Sequence, residues 1–298
     1  MFIDAHLHTS LWKGLPRNAA GSNYASPEEL IAMMDRTGVD KGILLPSVAP
    51  ECSFQRVSCE EILEVVARYP DRFYAFCNVD PRAGSNAPDA DLSHHLQYYR
   101  SLGCLGVGEV TANLDIGDPL VRNLFMHCEQ CEMPVLFHLA PHRYRCYGLI
   151  DAVGLPGLES ALQAFPKLVF IGHSQPFWAE ISADVTIDNR NGYPTGPVVP
   201  GGVVPRLMET YPNLYCGWDA GSGYNALTRD PVFGWAFMER FNDRILFGTD
   251  ICDPANDHRH AEYLRRSLAD GKLSQETFEK ISWRNANDLF RLGLQGER

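Results

Sequence analysis

No uninterrupted apolar stretch in the chain approaches the ~18–20 residues that a membrane-spanning helix needs, and none is expected to cross a bilayer. Nor is there a surplus of base. Lys and Arg number 26 against 37 Asp and Glu, a formal net charge of −11 in 298 residues. That balance lacks the cationic footprint that phosphate backbones require and offers anionic lipid no attraction. Neither a nucleic acid nor a membrane is therefore expected as a partner. The N-terminus opens on Phe2-Ile3-Asp4-Ala5-His6, without a basic segment, apolar core and cleavage site in series, which argues against a secretory leader. The nine cysteines are odd in number and scattered, and read as reduced thiols of a cytoplasmic protein. Cys128-Glu129-Gln130-Cys131 has no second pair to complete a zinc ribbon. No GxGxxG follows the first strand-like run, so a dinucleotide-binding sheet has no support.

What is present is a globular composition, 45% hydrophobic and 21% charged. Short β-branched runs recur roughly every 30–46 residues. They are Phe2–His8, Val39–Leu45, Phe73–Val79, Cys104–Val110, Pro134–His138, Leu168–His173, Leu214–Trp218 and Ile245–Thr249. Most are apolar on both faces, as parallel strands under helices are. Helical segments lie between them. Ser26-Pro27-Glu28-Glu29 supplies an N-cap, a first-turn proline and acids at the positive dipole end, and Gly38 supplies a stop. Glu60–Tyr69 repeats the scheme and stops at Pro70. Eight such units in series predict the α/β class and a closed (β/α)8 TIM barrel, one domain over residues 1–298. The Gly-, Pro- and Asp-rich stretch 183–204 after the sixth run is expected to be a lid or substrate-binding loop. Three helical patterns after residue 260 are expected to close the bottom or side of the barrel.

In such a barrel the C-terminal strand ends ring one mouth. His6 and His8, at i and i+2 of the first run, share a face, with Cα atoms roughly 6.6 Å apart. His138 closes the fifth run, His173 the sixth and Asp250 follows the eighth, while Glu109 lies near the end of the fourth. Singly, each is an ordinary residue. Together they are a mixed nitrogen and oxygen set suited to Zn²⁺, Fe²⁺ or Mn²⁺. His258-Arg259-His260 has the same spacing as the first pair, but in a helical setting where i and i+2 diverge.

The order His-x-His, His, His and Asp on runs one, five, six and eight resembles the amidohydrolase superfamily. The His6-Leu7-His8 start is similar to its amidohydrolase 2 group of metal-dependent hydrolases, lactonases and non-oxidative decarboxylases. The resemblance implies metal roles for His6, His8, His138 and His173 and a catalytic role for Asp250. Many binuclear members bridge two ions with a carboxylated lysine on the fourth strand, and this chain has Gly108-Glu109 there. Glu109 either bridges a second ion or meets substrate or a ligand from outside the coordination shell.

The reaction implied is hydrolysis of a lactone, ester or amide, with decarboxylation of an aromatic or unsaturated acid as the alternative. Asp250 would exchange the proton and His173 would help polarise the carbonyl. One or two divalent ions, zinc first, would be the cofactor. His142, Arg143 and Arg145 form a cationic cluster in an acidic chain and suit an anionic small molecule, or else pair with acids on the rim. Trp178, Trp218 and Asn225 are expected to wall the substrate, with Asp219 and Ser222 as further polar groups of the mouth after the seventh run. Cys252 has no neighbouring base in sequence to make it a nucleophile. Homo-oligomerisation is left open.

Overall fold

The structure is a computed structural model that describes residues 1–19, 21–256 and 258–296. Its strands are β1 (Ile3–Leu7), β2 (Lys41–Leu44), β3 (Phe73–Ala75), β4 (Val107–Val110), β5 (Val135–Ala140), β6 (Leu149–Ile150), β7 (Phe170–His173), β8 (Leu214–Trp218) and β9 (Ile245–Phe247). Every pairing between them is parallel. β1-β2-β3 form one sheet, β4-β5-β7-β8-β9 the other, and the short β6 adds to β5. Each of the eight sequence runs holds one strand. β6 is an addition, so the sixth run is β7.

The two sheets meet at two seams. At one, Cys77 N donates to Gly106 O (3.0 Å) and Gly108 N to Cys77 O (2.9 Å). At the other, His8 N donates to Ile251 O (2.8 Å) and Asp250 N to His6 O (2.9 Å). This is the TIM-type α/β architecture expected. The first and last strands meet through the residues expected to carry the chemistry. Fully buried Asp4 stitches the same seam, accepting from Thr249 Oγ1 (2.6 Å), Thr249 N (3.1 Å) and His6 N (3.0 Å).

The helices are α1 (Pro27–Thr37), α2 (Cys59–Arg68), α3 (Ser93–Ser101), α4 (Pro119–Gln130), α5 (Pro156–Ala164), α6 (Gln175–Ala179), α7 (Val203–Thr210), α8 (Ala220–Thr228), α9 (Pro231–Arg240), α10 (His260–Ala269), α11 (Gln275–Glu279) and α12 (Asn285–Leu289). A π turn, Lys280–Arg284, joins the last two. α1 carries the expected capping box between Ser26 and Glu29 and ends at Gly38 in the left-handed region (φ 68°). Ser58 caps α2. No helix among the described residues is long and apolar enough to cross a membrane.

Two apolar layers follow from strand alternation. The outer layer lies between sheet and helices. The inner one holds Ile3, Ala5, Ile43, Leu45, Phe76, Leu136, Ile171 and Leu246, closed by Ala286 and Phe290 from the chain's last helical segment. On β5 and β7, Leu136 pairs with Ile171 and, two residues on, His138 pairs with His173. The period of two thus stacks a histidine layer directly on the apolar filling.

β1 departs from simple alternation. Asp4 pairs with Gly42 and Leu7 with Leu44, so three steps on β1 match two on β2. The extra residue is a bulge. Before it Ile3 and Ala5 face inward. After it Leu7 packs outward, and His6 and His8 reach the mouth. β4 has the same irregularity, with Val107 pairing Val135 and Val110 pairing Phe137 around Glu109. The Gly108–Glu109 peptide is cis.

The segment expected to be a lid follows α6 rather than β7 itself, and α7 begins within its predicted span. Its middle is bolted down. Arg190 is fully buried, its Nη1 donates to Asp151 O (2.7 Å), and its Nη2 lies 3.8 Å from Glu180 Oε1. At that point the segment is anchored to the barrel through Arg190.

Candidate metal centre

Four imidazoles and three carboxylates converge at the C-terminal strand ends. His6 Nε2 and His8 Nε2 face each other at 3.0 Å. Asp250 Oδ1 is 3.5 Å from both, and Glu109 Oε2 lies 3.5 Å from His8 Nε2 and 3.8 Å from His6 Nε2. His173 Nε2 is 3.5 Å from Glu109 Oε1 and 3.7 Å from Asp250 Oδ2. Two triads, His6-Glu109-His173 and His6-His8-Asp250, each bring their ligand atoms within 4.8 Å of one another.

The opposite ring edges determine the tautomers. His6 Nδ1 meets Asp219 Oδ2 (2.8 Å), His8 Nδ1 meets Leu45 O (3.0 Å), and His173 Nδ1 meets Asp219 Oδ1. Each of these partners only accepts, so each Nδ1 carries the proton. In the neutral ring Nε2 is then a lone pair. The lone pairs of His6 and His8 face each other at hydrogen-bond distance with no proton to share, and that is the arrangement a cation resolves. The donor set fits a divalent metal ion.

The electrostatics agree. Burial pushes His6 down, yet the charges of Asp250 and Asp219 outweigh it and hold the group well above its ordinary range. His8 and His173 are raised in the same way, against burial, by Asp250 with Glu109 and by Asp219 respectively. Burial would raise Glu109, but His138, His6 and His8 pull it well below the usual carboxylate range. Asp219 and Asp250 are likewise lowered against burial by the histidines. The ring therefore calls for positive charge at its centre.

Of the residues expected here, His6, His8, Glu109, His173 and Asp250 come together. His138 stands beside them, with Nδ1 committed to Glu109 Oε1 (2.7 Å), leaving Nε2 as its edge for a metal. Asp219 was read from the sequence only as a polar group of the mouth. It is the carboxylate that orients two histidines. The signal for it was its place just past the end of the seventh run. Gly217 and Gly248 make room for it, since a Cβ on them would lie 2.6 Å from Asp219 Oδ2 and 2.9 Å from Asp219 Cβ.

A cavity of about 760 Å³ reaches the ring at His138, with Arg17, Cys52, Phe54, Arg145 and Tyr147 among its other walls. The expected cationic cluster divides. Arg145 lines the cavity, Arg143 pairs with Asp115 on the exposed rim, and His142 turns Nδ1 to Arg143 O (3.1 Å). Trp178 and Trp218 do not face the cavity. Both are buried, with Nε1 donating to Gly217 O (3.2 Å) and Gly223 O (3.0 Å). Asn225 donates to Pro194 O (3.1 Å) and lines a small crevice away from the ring. Trp218 ends β8 on its outward face, next to inward Gly217, and Trp178 sits on α6, so both pack into the outer apolar layer.

Arg17 was not foreseen, because nothing local distinguishes it in the first βα loop. Its Nη1 lies 2.6 Å from Cys252 Sγ, its guanidinium sits over Tyr24 at 4.9 Å, and its buried Nε has no partner among the described residues. Burial raises the Cys252 thiol to about 12, so the nucleophile role stays unsupported.

The fold is a TIM-type α/β barrel whose C-terminal mouth gathers imidazoles and carboxylates that could hold a metal ion. A family model described as Amidohydrolase matches residues 3–292, and the chain belongs to that family. Members of it are enzymes. None of the curated proteins matches the chain. Solved structures share the fold at low identity. An uncharacterized TIM-barrel protein from Bordetella bronchiseptica superposes with TM-score 0.66 at 17% identity, over 97% of this chain and 98% of that one. A putative 2-pyrone-4,6-dicarboxylic acid hydrolase from Pseudomonas putida gives 0.64 at 14%, over 99% and 98%. A 2,6-dihydroxybenzoate decarboxylase from Rhizobium gives 0.61 at 18%, over 98% and 99%.

Proposed function

We propose that the chain is a metal-dependent hydrolase that cleaves an ester, lactone or amide of a small carboxylate-bearing molecule. The observation that carries this reading is Asp250. Its side chain is 23% exposed, against 6% or less for Glu109, His6, His8 and His173, so it is the carboxylate of the ring most open to an incoming molecule. Its lowered pKa keeps it ionised at neutral pH.

His6, His8, His173, Glu109 and Asp250 would hold the ion, with Nε2 of His138 at their edge. Zinc suits the set first, and manganese or iron would use the same donors. When bound, a divalent ion lowers the pKa of water from 15.7 towards ~7 and polarises a carbonyl. Asp250 takes the proton of the attacking water and returns it to the leaving group. Asp219 keeps Nδ1 of His6 and His173 protonated, so that both rings present lone pairs. Arg17 and Arg145 receive the substrate's carboxylate at the cavity wall.

A second reading is decarboxylation. It is favoured by the position of Arg17, close enough to the centre that Asp250 raises its pKa. An acid group drawn there would lie near the ring, and one of the structural neighbours is named a 2,6-dihydroxybenzoate decarboxylase. The test is a panel of lactones, amides and aromatic acids, followed for acid release and for CO₂, with and without chelator. Chelator-sensitive acid release without CO₂ supports the hydrolase. CO₂ release replaces it with the lyase, and turnover indifferent to chelator rejects both.

A further inference from the structure

His260 opens α10, a short way past Asp250, and lies at the ring's outer support. It is 3% exposed and packed edge-on against Trp218 (4.9 Å between ring centres) and Tyr224 (5.1 Å). Its Nε2 sits 3.1 Å from Ala220 O, and its Nδ1 is buried without a hydrogen-bond partner among the described residues. A carbonyl only accepts, so Nε2 carries the proton.

Ala220 follows Asp219 directly. It has φ 52°, in the left-handed region that an alanine seldom adopts, and its N donates to Thr249 O (3.3 Å). Asp219 starts α8 but does not cap it, because its carboxylate is turned away to His6 and His173. Local preference would untwist this turn and return Asp219 to the helix end. Something outside the turn must hold it, and the bond from His260 to Ala220 O is placed to do so.

We propose that His260 is a positioning residue for the metal centre, clamping Ala220 so that Asp219 stays aimed at the two imidazoles. Burial lowers its pKa to about 4, so the ring is neutral and keeps its single donor at neutral pH. The inference rests on the metal-centre reading above.

The test compares metal affinity across three chains stripped with chelator and titrated with Zn²⁺ against a chromogenic chelator. They are the wild type, His260→Phe and His260→Gln. Gln places its amide nitrogen where Nε2 stands, and Phe keeps the bulk without the donor. Loss of an outer partner in metal sites weakens binding by about 10–100-fold. His260→Phe is expected to lose about tenfold, and His260→Gln to stay within about threefold. Wild-type affinity in a folded His260→Phe protein overturns the proposal, as does an equal loss in both variants, which would mean simple packing. Should the variants not fold, nitrogen-15 NMR of the wild-type histidines decides: the Nε2–H tautomer is expected, and an Nδ1–H tautomer overturns it. A wild type that binds no divalent ion instead defeats the metal-centre reading itself.

Discussion

Single side chains carry the sharpest expectations. Asp250→Asn keeps an oxygen for the ion but cannot accept the proton. Turnover should fall by at least about 10²-fold, with metal content, measured by elemental analysis, nearly unchanged. Preserved activity would remove Asp250 from proton transfer. His260 also sets a pH dependence. Its pKa is about 4 in the fold against 6.5 as an ordinary histidine. Between those values the unfolded chain binds a proton that the folded chain refuses. Stability from this group is complete above about pH 6.5 and declines as the pH falls towards 4. A shift of that size corresponds to about 3 kcal/mol at most. Denaturant melts of wild type and His260→Gln across this window should agree near neutral pH and diverge towards acid pH, the wild type losing stability that the variant keeps, if the slope belongs to this ring. At this scale the sequence was informative wherever a polar residue interrupts an apolar strand end, as His138 and His173 do. Asp219 obeyed the same rule but sat beside a tryptophan that drew the interpretation towards substrate. Arg17 obeyed no rule, since loop residues are placed by tertiary contacts alone.

Elements place these groups, and loops aim them. The segment between β5 and β6 is organised by one amide. Asn113 Oδ1 accepts from Tyr144 N (2.7 Å), while Nδ2 donates to His142 O (3.2 Å) and Gly148 O (3.3 Å). Tyr144 and Arg145 both have positive φ there, 69° and 59°. Such a turn needs its outside support. Asn113→Ala is expected to raise KM for the carboxylate substrate by about tenfold, a loss of about 1.4 kcal/mol, with kcat and metal content little changed. Equal losses in kcat and metal would assign Asn113 to the centre instead. Gly217→Ala should act on the centre directly, since its Cβ would press on Asp219 Oδ2, which His6 holds in place. Weaker zinc binding with retained helical circular dichroism is the expected signature. The helices were legible because caps and prolines act locally, as at Ser26 and Gly38. The bulges in β1 and β4 were not, because an extra residue in a pairing is defined only by the neighbouring strand. His-x-His showed that two rings share a face; which face depended on the bulge.

For the molecule as a whole, the recurring spacing of apolar runs was enough for the barrel, since eight strand–helix units have few other ways to bury both faces of each strand. The short β6 escaped notice because two residues carry no period. A metal ion held by residues from β1, β4, β7 and the turn after β9 binds the folded chain and not the unfolded one. At a free concentration of 100 times Kd it would add about 2.7 kcal/mol. Chelator should therefore lower Tm by several degrees, and Zn²⁺ should restore it. A melting curve indifferent to both would speak against an ion spanning the two sheets.

The handshake between His6 and Asp250 couples the first strand to the turn after the last. A fragment that stops before β9 has all four imidazoles but lacks Asp250 and the closing seam. Under the proposed chemistry such a fragment is inactive, and two fragments cut in an outer loop are expected to regain turnover only on reannealing, so activity becomes a gauge of ring closure.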